Sequence, residues 1–273
     1  FSATALGLLP AVERRAAEPM LPPRLFHSRD FNLAQVLGFF MGAGMLAVMV
    51  YFPHYMQDVR GASPTVSGVL LLPFVGGMIG VQLTIARIIP RTGKLRPYPI
   101  VGGAVATVGM LTLLLLDTGT STLAASALTF TAGAGVGLVM QSTQLMTFGS
   151  VEQRDLGAAS GLLNLFRTLG GSLGVALLGS VYTNRLHDTL TDQLGTAKGD
   201  QLADSSGQLT PEQLHALPTA LRDAFELGVN NGLHGVVTGA AVLTAAAFVA
   251  SWFVHGRLPQ RQQAAPSEQG VAA

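Results

Sequence analysis

Arg167 is the one charge that falls deep inside an apolar stretch of this 273-residue chain. An ionised group in hydrocarbon is costly and faces a cavity or a partner. On a helix, Arg167 shares a face with Ser160, Asn164, Gly171 and Gly174, while Leu162, Leu163, Phe166 and Leu169 occupy the others. That small, polar stripe fits a transport path or a contact with another helix bundle. The alternative is a structural arginine tied to backbone carbonyls or to an acid elsewhere. Gln141 and Gln144 share a face with Gly133 and Gly137; amides there bond either a substrate or a neighbouring helix. Gln35, Phe39 and Gly42 align on one face, and Met41, Met45 and Met49 recur every four residues. Methionine adapts its shape to apolar ligands, so Phe39 and Met45 join the transport-path candidates, with plain packing as the other reading. No phosphate-cradling loop, H-E-x-x-H or nucleophile–base–acid set appears. The chain reads as no enzyme, with no catalytic residue, metal or cofactor.

The elements that must hold these residues are set by composition. Hydrophobic residues make up 49% and charged ones 11%, with 33 glycines and no cysteine; the mean hydropathy is +0.44. Soluble domains carry about 25% charged residues, so one large soluble core is excluded. The net charge of +1 argues against a nucleic-acid partner, which demands a basic surplus. A helix crosses a bilayer in roughly 20 apolar residues. Six stretches qualify: Leu33–Phe52, Thr65–Ile88, Tyr98–Leu116, Leu123–Met146, Leu156–Tyr182 and Gly232–Trp252, none holding Asp or Glu. Backbone groups in lipid must be satisfied within the segment, so these are helices. The expected fold is an all-α integral membrane protein, a six-helix bundle. Glycines four apart, including Gly157/Gly161 and Gly170/Gly174 with Gly171 beside them, predict close helix packing. Pro73 predicts a bend in the second span.

Basic residues set the orientation. Arg14, Arg15, Arg24, Arg29, Arg87, Arg91, Lys94, Arg96, Arg154, Arg257 and Arg261 lie on one side; Arg60, Arg185, Lys198 and Arg222 lie on the other. The bias places both ends in the cytoplasm. Phe1–Val12 is apolar, too short to span, and runs into Glu13-Arg14-Arg15. It reads as the tail of a preceding membrane helix, and the missing initiator Met as a truncation. The organisation is then 1–30 for that tail and a cytoplasmic linker, and 31–182 for five spans. A long outer loop follows at 183–231, the sixth span at 232–254 and a disordered cytoplasmic tail at 255–273. Within the loop, Asn184–Asn231 carries seven acids against three basic residues. Thr210-Pro211-Glu212-Gln213 starts a short helix by capping and proline rules. Leu214, Leu217, Leu221 and Phe225 then give an apolar side, for an amphipathic helix on the outer membrane surface or a flexible connector.

Pro22-Pro23-Arg24-Leu25-Phe26 through Phe31 resembles the cytoplasmic linker of the fourteen-span EmrB/QacA-type drug:proton antiporters of the major facilitator superfamily. Gly68-Val69-Leu70-Leu71-Leu72-Pro73, followed by Gly76, Gly77 and Gly80, looks like that family's second C-terminal helix. Gly157-Ala158-Ala159-Ser160-Gly161 through Gly174 is very similar to its fifth. Ala86–Arg96 resembles the degenerate copy of the family's cytoplasmic loop, with Arg91, Gly93 and Lys94 matching, Ala86 in place of a glycine and Pro90 in place of an aspartate. Arg87, Arg91, Gly93 and Lys94 are candidates for a gating loop, or simply anchor the topology. The resemblance implies the C-terminal half of a secondary transporter exporting amphipathic small molecules against protons in the cell membrane. Its partners would be the lipid bilayer and a missing N-terminal half, which would hold the proton site. A non-transporting six-helix scaffold or receptor with an acidic outer loop is the alternative.

Overall fold

The computed structural model describes residues 23–59, 61–115, 122–205 and 218–254. Seven α-helices carry nearly all of them: α1 Arg29–Asp58, α2 Pro64–Thr92, α3 Pro97–Thr112, α4 Thr122–Gly149, α5 Leu156–Leu194, α6 Thr196–Ser205 and α7 Thr219–Ser251. Short 3-10 turns at Pro23–His27, Leu113–Leu115 and Gln153–Asp155 join or extend them. Among the described residues, α1, α2, α5, α7 and the α3 segment to Leu115 are long and apolar enough to cross a membrane. The 28-residue α4 runs about 42 Å at the helical rise and packs against α1, α2, α3 and α5.

The helix ends follow local chemistry. The Ser28 side chain accepts the Phe31 N–H to cap α1. Ser63 accepts from Val66, and Pro64 takes the first position of α2, where no N–H is needed. Gly93 closes α2 in the left-handed region at φ 64°, its N–H reaching the Ile89 carbonyl; a side chain there would be strained. The helix continues unbroken through Pro73.

The packing has an internal two-fold logic. α1 packs on α5 and α7, and α4 packs on α3 and α2. The first helix of each group of three therefore rests on the second and third helices of the other. At one crossing Gly42 faces the Arg167 carbonyl, and Gly170 faces the Phe39 carbonyl. At the other, Gly133 faces the Phe74 carbonyl, and Gly77 faces the Phe130 carbonyl. The pairs correspond: Phe39/Phe130 and Gly42/Gly133 are each 91 residues apart, and Phe74/Arg167 and Gly77/Gly170 each 93. Residues 39–50 and 130–141 share six identities in twelve positions, Phe-x-x-Gly-Ala-Gly-x-x-x-Val-Met. Packing of α3 against α7, where Gly103 meets Phe248, ties the α1–α5–α7 set to the α2–α3–α4 set.

Helix lengths differ from the expected spans at the end where α5 finishes and α7 begins. α5 continues twelve residues past Tyr182, and α7 begins thirteen before Gly232. Much of the segment read as a loop at 183–231 is therefore helical. Leu186 and Leu190 of α5, Leu202 of α6, and Ala224, Phe225 and Val229 of α7 are buried in the same core as the bundle. The physical reason is an i, i+4 run of apolar residues on both long helices, which bury each other instead of lying on lipid. Leu221 and Phe225 thus face protein. The expected helix start at Thr210, Leu214 and Leu217, the Phe1–Val12 tail and the 255–273 tail lie outside the described residues.

Candidate functional site

Burial separates two surfaces of the bundle. Over its most apolar stretch α1 is 56% buried, α5 33% and α2 only 11%. On α2 the exposed side holds Val69, Leu72, Ile79 and Leu83, and a Cβ added at Gly68, Gly76 or Gly80 would touch nothing. On α5 it holds Ser160, Asn164, Thr168 and Ser172, interleaved with Leu165, Leu169 and Leu173. Serine and threonine hydroxyls can donate to the carbonyl one turn back, as Ser180 and Thr183 do farther along α5, but the Asn164 amide beside Arg167 finds no partner in lipid and suits a water-lined path or a polar protein surface.

The structure divides the stripe expected around Arg167. Gly170, Gly171 and Gly174 are buried against α1, where Gly174 meets Ala43 and Gly171 meets Leu46. Ser160 and Asn164 stay on the exposed side. Arg167 sits at the boundary: its carbonyl lies against Gly42, and its side-chain Nε is buried with no hydrogen-bond partner. No ion pair among the described residues involves it. Gly157 and Gly161, expected to pack helices, face open space within this chain, whereas Gly170, Gly171 and Gly174 do pack.

The other candidates fall into place by depth. Gln141 is half-buried and Gln144 exposed on α4; Phe39 and Met45 are half-buried on α1. Phe39 and Arg167 meet the same glycine-lined crossing, Phe39 through its carbonyl to Gly170. Gln35 is 2% exposed, and neither of its amide atoms has a partner. An unsatisfied buried amide is costly, which marks the α1 face as more than inert packing. Arg87, Arg91 and Lys94 are exposed around the α2–α3 turn, where Gly93 acts as the helix cap. A small cavity lined by Ala47, Val48, Phe52, Leu113, Leu233, Val236 and Val237 is wholly apolar and offers nothing to orient a ligand. No group of metal-binding side chains occurs among the described residues.

Two features escaped sequence reasoning. The Phe-x-x-Gly-Ala-Gly repeat was readable, since a search at a spacing of about 91 residues finds it. The α5–α7 seam was also encoded: Leu178, Val181, Tyr182 and Leu186 fill the spaces at Gly239, Gly235, Gly232 and Gly228. The pairing partner of each glycine is a tertiary fact that spacing alone does not reveal.

Residues 7–175 match the family model described as Major Facilitator Superfamily. An uncharacterised MFS-type transporter of Mycobacterium tuberculosis (strain H37Rv) is 33% identical over 248 residues, covering 91% of this chain and 36% of that protein. The multidrug transporter protein MdtP of Bacillus subtilis is 35% identical over 183 residues, 67% of this chain and 34% of that one. The tetracycline resistance determinant of Streptomyces rimosus is 27% identical across 100% of this chain and 85% of its own length. The chain thus spans about a third of the first two of these relatives.

Proposed function

The chain belongs to the major facilitator superfamily, and from that premise we propose that it forms the C-terminal half of a secondary transporter exporting amphipathic drugs in exchange for protons. The observation that carries the reading is the exposed polar stripe of α5, bordered midway by Arg167, whose charge finds no counter-ion among the described residues. Such a face is unsuited to lipid and suited to a water-lined path or a second helical half. The names borne by similar proteins, a multidrug transporter and a tetracycline resistance determinant, support drug export as the activity. The fourteen-span EmrB/QacA arrangement adds the rest: a partner half carrying the proton-binding acids, and rocking of the two halves about a midplane site. Six spans with the basic side inward would put both ends of this chain in the cytoplasm of a cell-membrane protein.

In this reading Arg167, Asn164 and Ser160 face the path or the other half, while Gln141, Gln144, Phe39 and Met45 approach it from α4 and α1. Arg87, Arg91 and Lys94 would dock the cytoplasmic turn, and Gly93 shapes it. The full-length protein should lower drug accumulation in cells, and collapsing the proton gradient should abolish that effect. Export that survives the collapse, or that requires ATP, rules the mechanism out. A non-transporting scaffold or receptor is the second reading, with the acid-rich 184–231 segment as its binding surface. Combined R167Q and Q141A substitution separates the two: a transporter loses export at normal membrane abundance, a scaffold loses assembly or partner binding.

A further inference from the structure

Ahead of the first long helix, the turn Pro23–His27 folds onto the start of α5. The Arg24 guanidinium donates from Nε to Asp155 Oδ2 at 2.9 Å and from its terminal nitrogen to Oδ1 at 2.7 Å. This is the bidentate arrangement that makes arginine–carboxylate pairs strong and directional. The Asp155 side chain is 7% exposed, so its charge relies on this partner. The carboxylate in turn raises the already high pKa of Arg24, first through the hydrogen bond itself. Beneath the pair lies a small apolar core of its own, formed by Leu25, Phe31, Ala159 and Leu162. The turn is fastened again on the α1 side. Phe26 meets Phe31 edge-on at 5.9 Å, and Asn32 Nδ2 donates to the Phe26 carbonyl at 2.7 Å. By contrast the neighbouring Arg154–Glu152 pair is exposed on both sides and contributes little.

We propose that Arg24 and Asp155 are positioning residues: together they clasp the segment leading into α1 onto the start of α5 and set where the polar stripe of α5 lies. Asp155 immediately precedes α5, and Ser160, Asn164 and Arg167 follow on the same helix. A helix transmits a shift at its first turn along its length, so loosening the clasp moves the stripe. Farther along the same pair of helices, Gly42 and Gly170 lock the crossing. Beyond them the Tyr51 ring packs against Tyr182 at 5.2 Å, tilted by 33°, and its hydroxyl donates to the Val175 carbonyl at 3.3 Å. The clasp is the third tie, at the end of the bundle where α1 and α5 both begin. The proposal stands whatever the protein carries.

The chain has no cysteine, so single thiols placed in it report without background once any cysteine elsewhere in the full-length protein is replaced by serine; that protein, purified in detergent, suffices. L25C, at a position 3% exposed, should react with a maleimide at least roughly tenfold more slowly than F26C, at one 43% exposed. R24A or D155A should each speed L25C labelling about tenfold, as loss of a charge-assisted pair predicts. R24A/D155A should be no faster than either single change, because the two act as one unit. D155E should keep the slow rate. N164C labelling should change at least about twofold in R24A, while V136C, buried in α4, stays protected. The proposal is overturned if L25C reacts as fast as F26C in the otherwise unaltered protein. It is also overturned if the two single effects multiply, if N164C is indifferent to R24A, or if V136C opens in step with L25C.

Discussion

At Gly133 a single added methyl group would meet the Phe74 carbonyl, and at Gly42 the Arg167 carbonyl. Backbone on both sides leaves no flexible side chain to yield, so the helices must separate. Gly133→Ala should therefore lower stability by about 1–3 kcal/mol, read as a lower unfolding temperature in detergent. Gly157→Ala and Gly161→Ala meet open space within this chain and should leave stability unchanged or raise it by roughly 0.5–1 kcal/mol through reduced backbone freedom. The spacing of four is the same in all these cases; only the neighbouring helix tells them apart. Arg167 yields the opposite kind of test. Its Nε is buried without a partner, and removing an uncompensated charge does not cost stability. Arg167→Leu should keep or raise the unfolding temperature while abolishing export by the full-length protein; retained export would remove Arg167 from the transport path.

Among the elements, the C-terminal end of α5 and the N-terminal end of α7 depart furthest from the sequence reading. Hydropathy finds the membrane portion and then stops, because Arg185, Asp188 and Asp192 lower the average. Yet Leu186 and Leu190 keep the apolar period within that charged stretch. With Phe225 and Val229 opposite, they extend the core beyond the spans, and α6 folds back to add Leu202. Phe225→Ala removes a 4% exposed aromatic and should cost about 3–5 kcal/mol. The measurable result is protease cleavage around α6 while α1–α4 stay intact. His187 Nε2 of α5 and Asp200 Oδ1 of α6 lie 3.0 Å apart, with both side chains about half exposed. Asp200→Asn should accordingly change stability by less than about 1 kcal/mol. Apolar burial, with Gly199 seated against Thr191, is what holds α6 down.

For the whole molecule, the two crossings are equivalent parts of one repeated design, with Phe39 and Gly42 in one matched by Phe130 and Gly133 in the other. They share no partner residues, so the penalties of Gly42→Ala and Gly133→Ala should be similar and should add to within about 0.5 kcal/mol in the double variant. A clearly larger combined loss would mean that the crossings are coupled through α1 and α4. The amino-acid sequence by itself determined the solvent, the helical class and five of the six expected spans. These follow from how few charges there are and where they fall, and each is settled within a single segment. The repeat was equally present in it, as was the glycine content that close packing needs. Which glycines touch a carbonyl and which lie open, that Ser160 and Asn164 part from Gly171 and Gly174, and that Arg24 reaches Asp155 were decided only in three dimensions. Each of those depends on which face of one helix another segment covers, a relation between distant residues, 131 apart for Arg24 and Asp155, that no local pattern of residues contains.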